Sequence, residues 1–459
     1  MKKYNAIYFV GAGGIGMAAL VRYYLSQGYK VAGYDKTRTA LTDDLVKEGA
    51  EIIYDEYAGK IPEYCKDKEN TLVVYTPAIP EEHDGLRYFR ENGFKIMKRA
   101  QLLGLITHDS DGLCFSGTHG KTTTSSMAAH ILNTSEIGCN AFLGGILRNI
   151  NSNLILSKDS PYSVIEADEY DRSFHHLNPY IAVVTATDPD HLDIYGTEEA
   201  YYESFAHFTS LIREDGTLIA HKGLKMKPRL KKGVRLYEYS RDEGDFHARN
   251  IRKGNGQIIF DFVYPDGVIK DISLGVPVDI NIENAVASMA VCSLVGVKPE
   301  VMREAVGTFL GAKRRFEFWV KEPGNNGKVV IDDYAHHPDE LKASISSVKS
   351  LYPDRKLTVI FQPHLYSRTR DFAPQFAEAL SLADEVLLLD IYPARELPIP
   401  GVTSEIIFKD IKCRNKALCN KNDLIETVKK YNFDVLLTAG AGDIINFLPE
   451  ICKIVEGKN

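Results

Sequence analysis

Gly117-Thr118-His119-Gly120-Lys121-Thr122-Thr123-Thr124 separates the apolar run 113–115 from a stretch rich in small residues. This order predicts a strand, a glycine-rich loop and a helix. A helix N-terminus leaves backbone N–H groups unpaired, and glycines let the chain curl those groups around phosphate oxygens. Lys121 adds a positive charge, and the Thr122 hydroxyl can reach a magnesium ion. The stretch therefore predicts a variant ATP-binding phosphate loop, shorter than the usual one.

A second glycine loop lies near the start of the chain. Residues 11–16 read G-A-G-G-I-G, between an apolar run at 6–10 and an expected helix, and Asp35 ends the next predicted strand. This is the dinucleotide fingerprint, in which the acidic residue can bind a ribose hydroxyl. Taken alone it predicts an NAD-dependent oxidoreductase, but the same loop suits any nucleotide diphosphate.

Two acidic clusters follow predicted strands of the middle region. Glu166 ends one strand and opens a stretch with four carboxylates in six residues, 166–171. The second cluster, 188–193, follows the strand at 181–185 and contains His191. Phosphate-loop enzymes place an acid at a strand end beside the loop, where it holds magnesium. We therefore predict metal positions at Glu166 and His191, with a solvated acidic loop as the alternative for the first cluster.

The last third of the chain alternates predicted strands and helices. Polar residues collect where those strands end, at 332–337, 362–370, 390–396 and 439–443, which predicts a shared cleft. Before this region, the adjacent Arg314 and Arg315 suit a phosphate or carboxylate, or are an exposed basic turn. Asn281 and Asn284 begin a predicted helix and either cap it or bind an adenine edge.

Length and composition limit the classes of protein. The chain has 459 residues, which suggests two to four domains, and its net charge of −7 argues against a general nucleic-acid binder. The seven cysteines show neither metal-ligand nor redox spacing. The longest apolar stretches are too short to span a bilayer. We expect a cytoplasmic enzyme without membrane insertion, as a monomer or weak homodimer.

The motifs in order resemble those of the Mur ligases, over essentially the whole chain. The resemblance rests on both glycine loops, the acidic stretches 166–169 and 190–193, and the segments 314–316, 332–337, 362–370 and 440–443. It implies an α/β protein of three domains. These are a Rossmann-like UDP-sugar domain (1–110), a central phosphate-loop domain with a parallel sheet and appended β-hairpins (111–311), and a C-terminal Rossmann-like domain (312–459) that closes over ATP and binds the amino acid.

The resemblance also implies an activity and a set of residues. The activity is an ATP-dependent amide ligase of peptidoglycan synthesis that joins L-alanine to the carboxylate of UDP-N-acetylmuramic acid through an acyl phosphate, with two Mg²⁺ ions and Mn²⁺ as an alternative metal. The catalytic residues would be Lys121, Glu166 and His191, and the metal ligands Thr122, Glu166 and His191. ATP would be bound by Gly117, Thr118, His119, Gly120, Lys121, Thr122, Thr123, Asn281, Asn284, Arg315 and Asp333. The UDP-sugar would be bound by Gly11, Gly13, Gly14, Ile15, Gly16, Asp35, Thr76 and Arg99. The amino acid or substrate carboxylate would be bound by Tyr334, His336, His364 and Arg368.

Three alternatives remain open at this point. Within the family, a recycling ligase that attaches a preformed tripeptide to the same acceptor shares most of these motifs. Outside it, the chain is an NAD-dependent oxidoreductase or a nucleotide-switched binding protein without chemistry. One departure concerns the substrate site, because Leu365 stands where many alanine-adding members of the family carry arginine.

Overall fold

The structure is a computed structural model that describes residues 4–76, 79–254, 256–322, 327–394 and 396–457; the side chain of Asp193 is also outside the description. Contacts divide the chain into two compact units. One unit runs through Arg249 and includes Phe262–Lys270 and Glu283–Val306, and the other comprises Asn250–Asp261, Asp271–Ile282 and the chain from Gly307 onward. The predicted boundaries at residues 110 and 311 stay predictions.

The first sheet of unit one has five parallel strands in the order β3-β2-β1-β4-β5. They are β1 (Ala6–Val10), β2 (Lys30–Tyr34), β3 (Glu51–Ile53), β4 (Thr71–Tyr75) and β5 (Lys95–Lys98). The helices are α1 (Ile15–Ser26), α2 (Ala40–Lys47), α3 (Asp84–Glu91) and α4 (Arg99–His108). This strand order matches the first five strands of the Rossmann order 3-2-1-4-5-6, as the first glycine loop predicted.

The second sheet of unit one has seven strands in the order β12-β11-β10-β6-β9-β7-β8. They are β6 (Asp111–Ser116), β7 (Asn140–Leu147), β8 (Ser152–Ile155), β9 (Tyr162–Glu166), β10 (Pro179–Val184), β11 (Thr217–His221) and β12 (Arg235–Tyr239). The helices are α5 (Lys121–Thr134), α6 (Leu192–Tyr195) and α7 (Glu198–Ser210). Neighbouring strands are parallel except β7 and β8. Because β6, β9 and β10 are adjacent and parallel, their carboxyl ends meet at one edge.

Three further strands form a small sheet of their own, in the order β13-β14-β15. They are β13 (His247–Gly254), β14 (Gln257–Tyr264) and β15 (Gly267–Ser273), and their residues are divided between the two units. The helices α8 (Ile280–Leu294) and α9 (Pro299–Thr308) follow.

The sheet of unit two has six strands in the order β16-β17-β21-β18-β19-β20. They are β16 (Glu317–Lys321), β17 (Val329–Asp333), β18 (Leu357–Phe361), β19 (Glu385–Leu389), β20 (Asn415–Cys419) and β21 (Val435–Ala439). The helices are α10 (Pro338–Leu351), α11 (Tyr366–Leu380), α12 (Glu405–Phe408), α13 (Leu424–Val428) and α14 (Leu448–Val455). All pairs are parallel except β16 with β17.

Each unit has its own apolar core. One cluster in unit one joins residues of both sheets, including Phe9, Cys114 and Ile165, and a separate cluster in unit two includes Val330, Ile360 and Leu436. The α/β class with parallel sheets is confirmed. Within the described ranges, no helix combines the length and apolarity that crossing a membrane requires.

Candidate active site

The phosphate loop connects β6 to α5 along a path that only glycine permits at two points. Gly117 has φ +136° and Gly120 has φ +82°, in the region that L side chains rarely adopt. A Cβ on Gly117 would lie 2.1 Å from Oγ1 of Thr185, so the loop passes against the end of β10. The backbone N–H of Thr118 donates to the carbonyl of Ala186 at 3.0 Å. The loop is therefore anchored at the strand edge where its α5 N–H groups can meet an anion.

Lys121 begins α5 and turns back over the loop. Its Nζ donates to the carbonyl of Gly117 at 2.6 Å and to Oε1 of Glu169 at 2.8 Å. Glu169 is only 2% exposed, and burial raises the pKa of its carboxyl while the Lys121 charge opposes that rise. The pair is thus a largely buried ion pair between the loop and the acidic segment, defined here as residues 166–171.

Thr122 and Glu166 are brought together beside the loop. The Thr122 hydroxyl lowers the pKa of the neighbouring Glu166 carboxylate against the larger effect of burial, and a Cβ on Gly144 would lie 2.4 Å from Oε2 of Glu166. Burial raises the pKa of Glu166, and the Lys121 charge opposes the rise. Among the described residues, Oε2 of Glu166 has no hydrogen-bond partner. A buried carboxylate oxygen of this kind, next to a hydroxyl, suits a hard cation such as Mg²⁺.

A cavity of about 410 Å³ lies between the first glycine loop and the acidic segment, inside unit one. Its lining includes five residues of the predicted UDP-sugar set, together with Glu166. They are Gly14, Ile15, Gly16, Thr76 and Arg99. The cavity therefore places the diphosphate-type loop and the predicted metal ligand on the walls of one space.

Basic residues at the start of α4 face the acidic segment. Lys98 Nζ lies 2.8 Å from Asp171, and an Arg99 guanidinium nitrogen lies 3.7 Å from Asp168. Asp171 and Arg172 both have φ near +50°, which is strained for residues with a Cβ. Different residues of the segment thus pair with different elements: Glu169 with the phosphate loop, and Asp168 and Asp171 with the start of α4.

Asp35 contacts the glycine loop itself. Its Oδ2 accepts the backbone N–H of Gly13 at 2.7 Å, and its Oδ1 accepts that of Thr37 at 3.1 Å. The carboxylate predicted for a ribose hydroxyl therefore also stabilises the loop. Gly11 has φ +89°, and a Cβ there would lie 2.8 Å from the Thr76 side chain.

His191 lies beside the cavity without a cluster of acidic ligands. It has φ +53°, its ring packs edge-on against Tyr170 at 5.2 Å, and Nε2 is 3.7 Å from Asp190. Tyr170 also lines the cavity. Over the described ranges, no group of three or more His, Cys, Asp or Glu side chains is arranged to hold a metal. Of the predicted metal ligands, the part of the chain that the structure describes brings together Thr122 and Glu166.

The two asparagines of α8 have different surroundings. Oδ1 of Asn284 accepts the Thr124 hydroxyl at 3.1 Å and would lie 2.9 Å from a Cβ on Gly120. Asn281 is in unit two, where its Nδ2 donates to the carbonyl of Val276 at 3.1 Å. Asn284 therefore joins α8 to the phosphate-loop helix, and a contact with adenine stays a prediction for both.

The adjacent arginines of unit two, Arg314 and Arg315, also have different surroundings. Arg314 Nε donates to Oδ2 of the fully buried Asp332 at 3.1 Å, and its Nη2 donates to the Gly440 carbonyl at 2.6 Å. Arg315 is exposed, and its charge adds to the hydrogen bonds from His336 and His337 that lower the pKa of Glu340 against the effect of burial. Arg314 thus joins the ends of β17 and β21, whereas Arg315 is accessible to a ligand.

Asp333, which is partly exposed to solvent, follows the fully buried Asp332 at the end of β17. Burial raises the pKa of its carboxyl to about 6, although a hydrogen bond from the Ser344 hydroxyl and the Arg315 charge oppose that rise. Asp332 and Glu340 add repulsion that raises the pKa further. Asp333 therefore lies in an environment that favours its neutral form more than water does.

The four residues predicted for the amino acid or substrate carboxylate lie together at this edge. The His336 ring is 5.2 Å from Tyr334 and 6.2 Å from His364. Burial lowers the pKa of His336, and the charge of Arg368 lowers it further. Leu365 has φ +71° and donates its N–H to the Tyr392 carbonyl at 3.0 Å, while Tyr392 stacks on His364. Leu365 immediately precedes α11.

Sequence reasoning missed Glu169, the buried partner of Lys121. The available signal was its position in the dense acidic segment, but nothing in the pattern distinguished it from Asp168 or Asp171. It also missed Lys98, which pairs with Asp171.

The chain is similar over nearly its whole length to several named proteins. The chain is 57% identical over 455 residues to a protein named UDP-N-acetylmuramate–L-alanine ligase from Phocaeicola vulgatus, covering 99% of each chain. A protein of the same name from Flavobacterium psychrophilum is 45% identical, with 100% coverage of both. A crystal structure of UDP-N-acetylmuramate–alanine ligase from Thermotoga maritima superposes with a TM-score of 0.80 at 26% identity, over 99% of this chain and 100% of the other.

Three family descriptions match successive parts of the chain. They are the Mur ligase family catalytic domain at residues 6–110, the Mur ligase middle domain at 115–292 and the glutamate ligase domain of Mur ligases at 314–449. Together they span both glycine loops and the strand ends of unit two. The chain therefore belongs to the Mur ligase family.

Proposed function

We propose that this protein joins L-alanine to the carboxylate of UDP-N-acetylmuramic acid in an ATP-dependent reaction of peptidoglycan precursor synthesis. The names of the relatives at 41–58% identity support the substrates. One observation of the structure carries the proposal: a single cavity is lined by the glycine loop of the first sheet and by Glu166 beside the phosphate loop. A nucleotide sugar held at the first loop would direct its carboxylate toward the site of phosphoryl transfer.

The residues present fit ATP and one Mg²⁺. The glycine loop at the start of α5 has the positive φ angles and close approach that a phosphate cradle requires, and Lys121 supplies the cation. Thr122 and Oε2 of Glu166 would hold the metal, which when bound neutralises charge on the phosphates. A second ion at His191, and Mn²⁺ in place of Mg²⁺, are further parts of the proposal.

The proposed chemistry has two displacements. The substrate carboxylate attacks the γ-phosphorus of ATP and ADP leaves, giving an acyl phosphate; the alanine amine then attacks the acyl carbon and phosphate leaves. Lys121 would stabilise the charge on the phosphoryl group as it moves between two anions. Arg99, at the cavity wall, would hold the diphosphate of the acceptor near Gly16, where its Nη1 lies 2.5 Å from a Cβ built on that glycine.

Unit two would contribute the remaining contacts. Arg315 and Asp333 would bind ATP, and Tyr334, His336, His364 and Arg368 would bind the amino acid or the substrate carboxylate. The exposure of Arg315 and the grouping of the two histidine rings support these roles. Closure of the C-terminal domain over ATP, a cytoplasmic location, and a monomer or weak homodimer also remain part of the proposal.

The recycling ligase is the second candidate. A murein peptide ligase from Psychrobacter arcticus shares the fold, with a TM-score of 0.62 over 98% of each chain, but at 22% identity. The decisive measurement is phosphate release with ATP and UDP-N-acetylmuramic acid, comparing L-alanine with the tripeptide as the amine. Release that requires L-alanine is expected. Release that requires the tripeptide and ignores L-alanine would reverse the assignment.

A further inference from the structure

The Lys121 ammonium has acceptors for all of its protons. Its Nζ donates to the carbonyls of Gly117 at 2.6 Å and Thr118 at 3.4 Å, and it lies 2.8 and 2.7 Å from the two oxygens of Glu169. Glu169 is the charged partner among these groups. The lysine stem has four rotatable bonds, so the carboxylate decides where the positive charge is held.

The backbone of Glu169 is itself fixed by hydrogen bonds. Its carbonyl accepts the backbone N–H of Arg172 at 3.0 Å and the hydroxyl of Tyr195. The Tyr195 ring lies under the Arg172 guanidinium at 4.8 Å, and its hydroxyl receives a hydrogen bond from Ser204 at 3.5 Å. With 2% exposure, the Glu169 side chain cannot follow the lysine into solvent. The carboxylate is therefore a fixed point to which a flexible cation is attached.

We propose that Glu169 is a positioning residue for phosphoryl transfer, because its buried carboxylate fixes the Lys121 ammonium over the phosphate loop. This inference rests on the proposed function of the loop. A phosphate oxygen that approaches Lys121 shares the ammonium with Glu169. The carboxylate thus weakens the attraction of Lys121 for bound ATP, yet it holds the cation where charge develops during transfer. Placement of this kind affects the rate of the reaction more than the binding of the nucleotide.

The first test is Glu169→Gln, which keeps the shape of the side chain and removes its charge. We expect kcat for phosphate release to fall at least tenfold, while the dissociation constant for ATP, measured by calorimetry, is unchanged within twofold or becomes smaller. A kcat within threefold of the wild-type value would overturn the proposal. So would a tenfold weakening of ATP binding, which would indicate that Glu169 supports the nucleotide site as a whole.

The second test asks whether Glu169 acts through Lys121. In a Lys121→Ala background, Glu169→Gln is expected to change kcat by less than twofold, because the cation it positions is gone. A full additional loss in the double variant would overturn the proposal. Glu385→Gln is the matched control, since Glu385 is also buried and pairs with a lysine, Lys356, at 3.1 Å, but lies in unit two. It should lower stability and leave kcat unchanged.

A folding defect in Glu169→Gln would not remove the test. Glu169→Asp keeps the charge on a side chain one methylene shorter, so its kcat should fall below that of wild type, by less than tenfold; a wild-type kcat would overturn the proposal. The variant-to-wild-type ratio is measured with whichever amine is active. Failure of L-alanine as a substrate would therefore contradict the proposed function without affecting this comparison.

Discussion

The acidic segment 166–171 of unit one and the arginine pair 314–315 of unit two both bring like charges close together, but they use their ion pairs differently. In both, residues of like charge are close in sequence. One of them forms an ion pair inside the protein (Glu169, Arg314), and another is available to bind a ligand (Glu166, Arg315). In the acidic segment the buried Glu169 holds Lys121 of the phosphate loop. In the arginine pair the half-buried Arg314 donates to the fully buried Asp332 and to the Gly440 carbonyl at the strand ends of the sheet. The Glu169 ion pair therefore serves the reaction, because its partner Lys121 lies in the phosphate loop. The Arg314 ion pair serves the fold, because its partner Asp332 lies in the sheet.

Removing Arg314, whose ion pair serves the fold, should have the largest effect on stability. Arg314→Ala leaves the Asp332 carboxylate buried without its cation, and breaking such a pair costs about 3–5 kcal/mol of the free energy of unfolding. The only tryptophan of the chain, Trp319, lies on β16 of the same sheet, so urea unfolding followed by its fluorescence reports on this unit. A loss below about 1 kcal/mol would show that Arg314 is a solvated surface charge.

Removing the cation of the phosphate loop should have the largest effect on the rate. We expect Lys121→Ala to lower kcat about 10²–10³-fold, the usual consequence of losing one preorganised charge-stabilising donor. Lys349→Ala is the control, because Lys349 pairs with Asp384 at 2.9 Å on unit two and has no proposed role. Unimpaired phosphate release by the Lys121 variant would remove the basis of the proposed mechanism.

The pKa of Asp333 predicts a pH dependence of stability in unit two. Burial raises this pKa from 3.8 to about 6, so the folded state binds the proton more tightly than the unfolded chain. The contribution to stability is thus fully present below pH 3.8 and is lost as pH rises through about 6, by about 3 kcal/mol in total. Asp333→Asn should lack this slope between pH 4 and pH 6.

The measurement for Asp333 is urea unfolding by Trp319 fluorescence at several pH values. Asp339→Asn, which removes an exposed carboxylate, should keep the wild-type slope. A wild-type profile without a fall in stability over this window would contradict the burial of Asp333 as the cause.

The sequence predicted the architecture well where elements have strong local patterns. The apolar strands at 6–10, 30–34, 357–361 and 385–389 lie as expected, because a strand buried on both faces is a short continuous apolar run. Strands β3, β7, β8, β11, β16 and β20 were not predicted. Asn140–Leu147 contains two adjacent glycines, and Asn415–Cys419 is an edge strand with polar residues, so neither has a clear periodic pattern.

The candidate site was predictable at the level of residue types and strand ends. The grouping of Thr122 with Glu166, and of Tyr334 with His336 and His364, agrees with that expectation. The distinction between Glu166 and Glu169, or between Arg314 and Arg315, was not predictable, because it depends on burial by distant segments. Gly144, for example, lies against Glu166 although the two are 22 positions apart in the sequence.

The smallest expected effect is that of Arg315→Ala, which distinguishes the roles of the two arginines. Arg315→Ala should raise the KM for ATP about tenfold, about 1.4 kcal/mol, because an exposed guanidinium contributes a charge-assisted contact to a phosphate but is not required by the fold. Its urea unfolding should match that of wild type, in contrast to Arg314→Ala. Lys313→Ala, at an exposed basic neighbour in the same turn, should change neither property. If Arg315→Ala destabilises the unit as strongly as Arg314→Ala while leaving the KM for ATP unchanged, both arginines are architectural, and ATP must take its unit-two contacts from other residues.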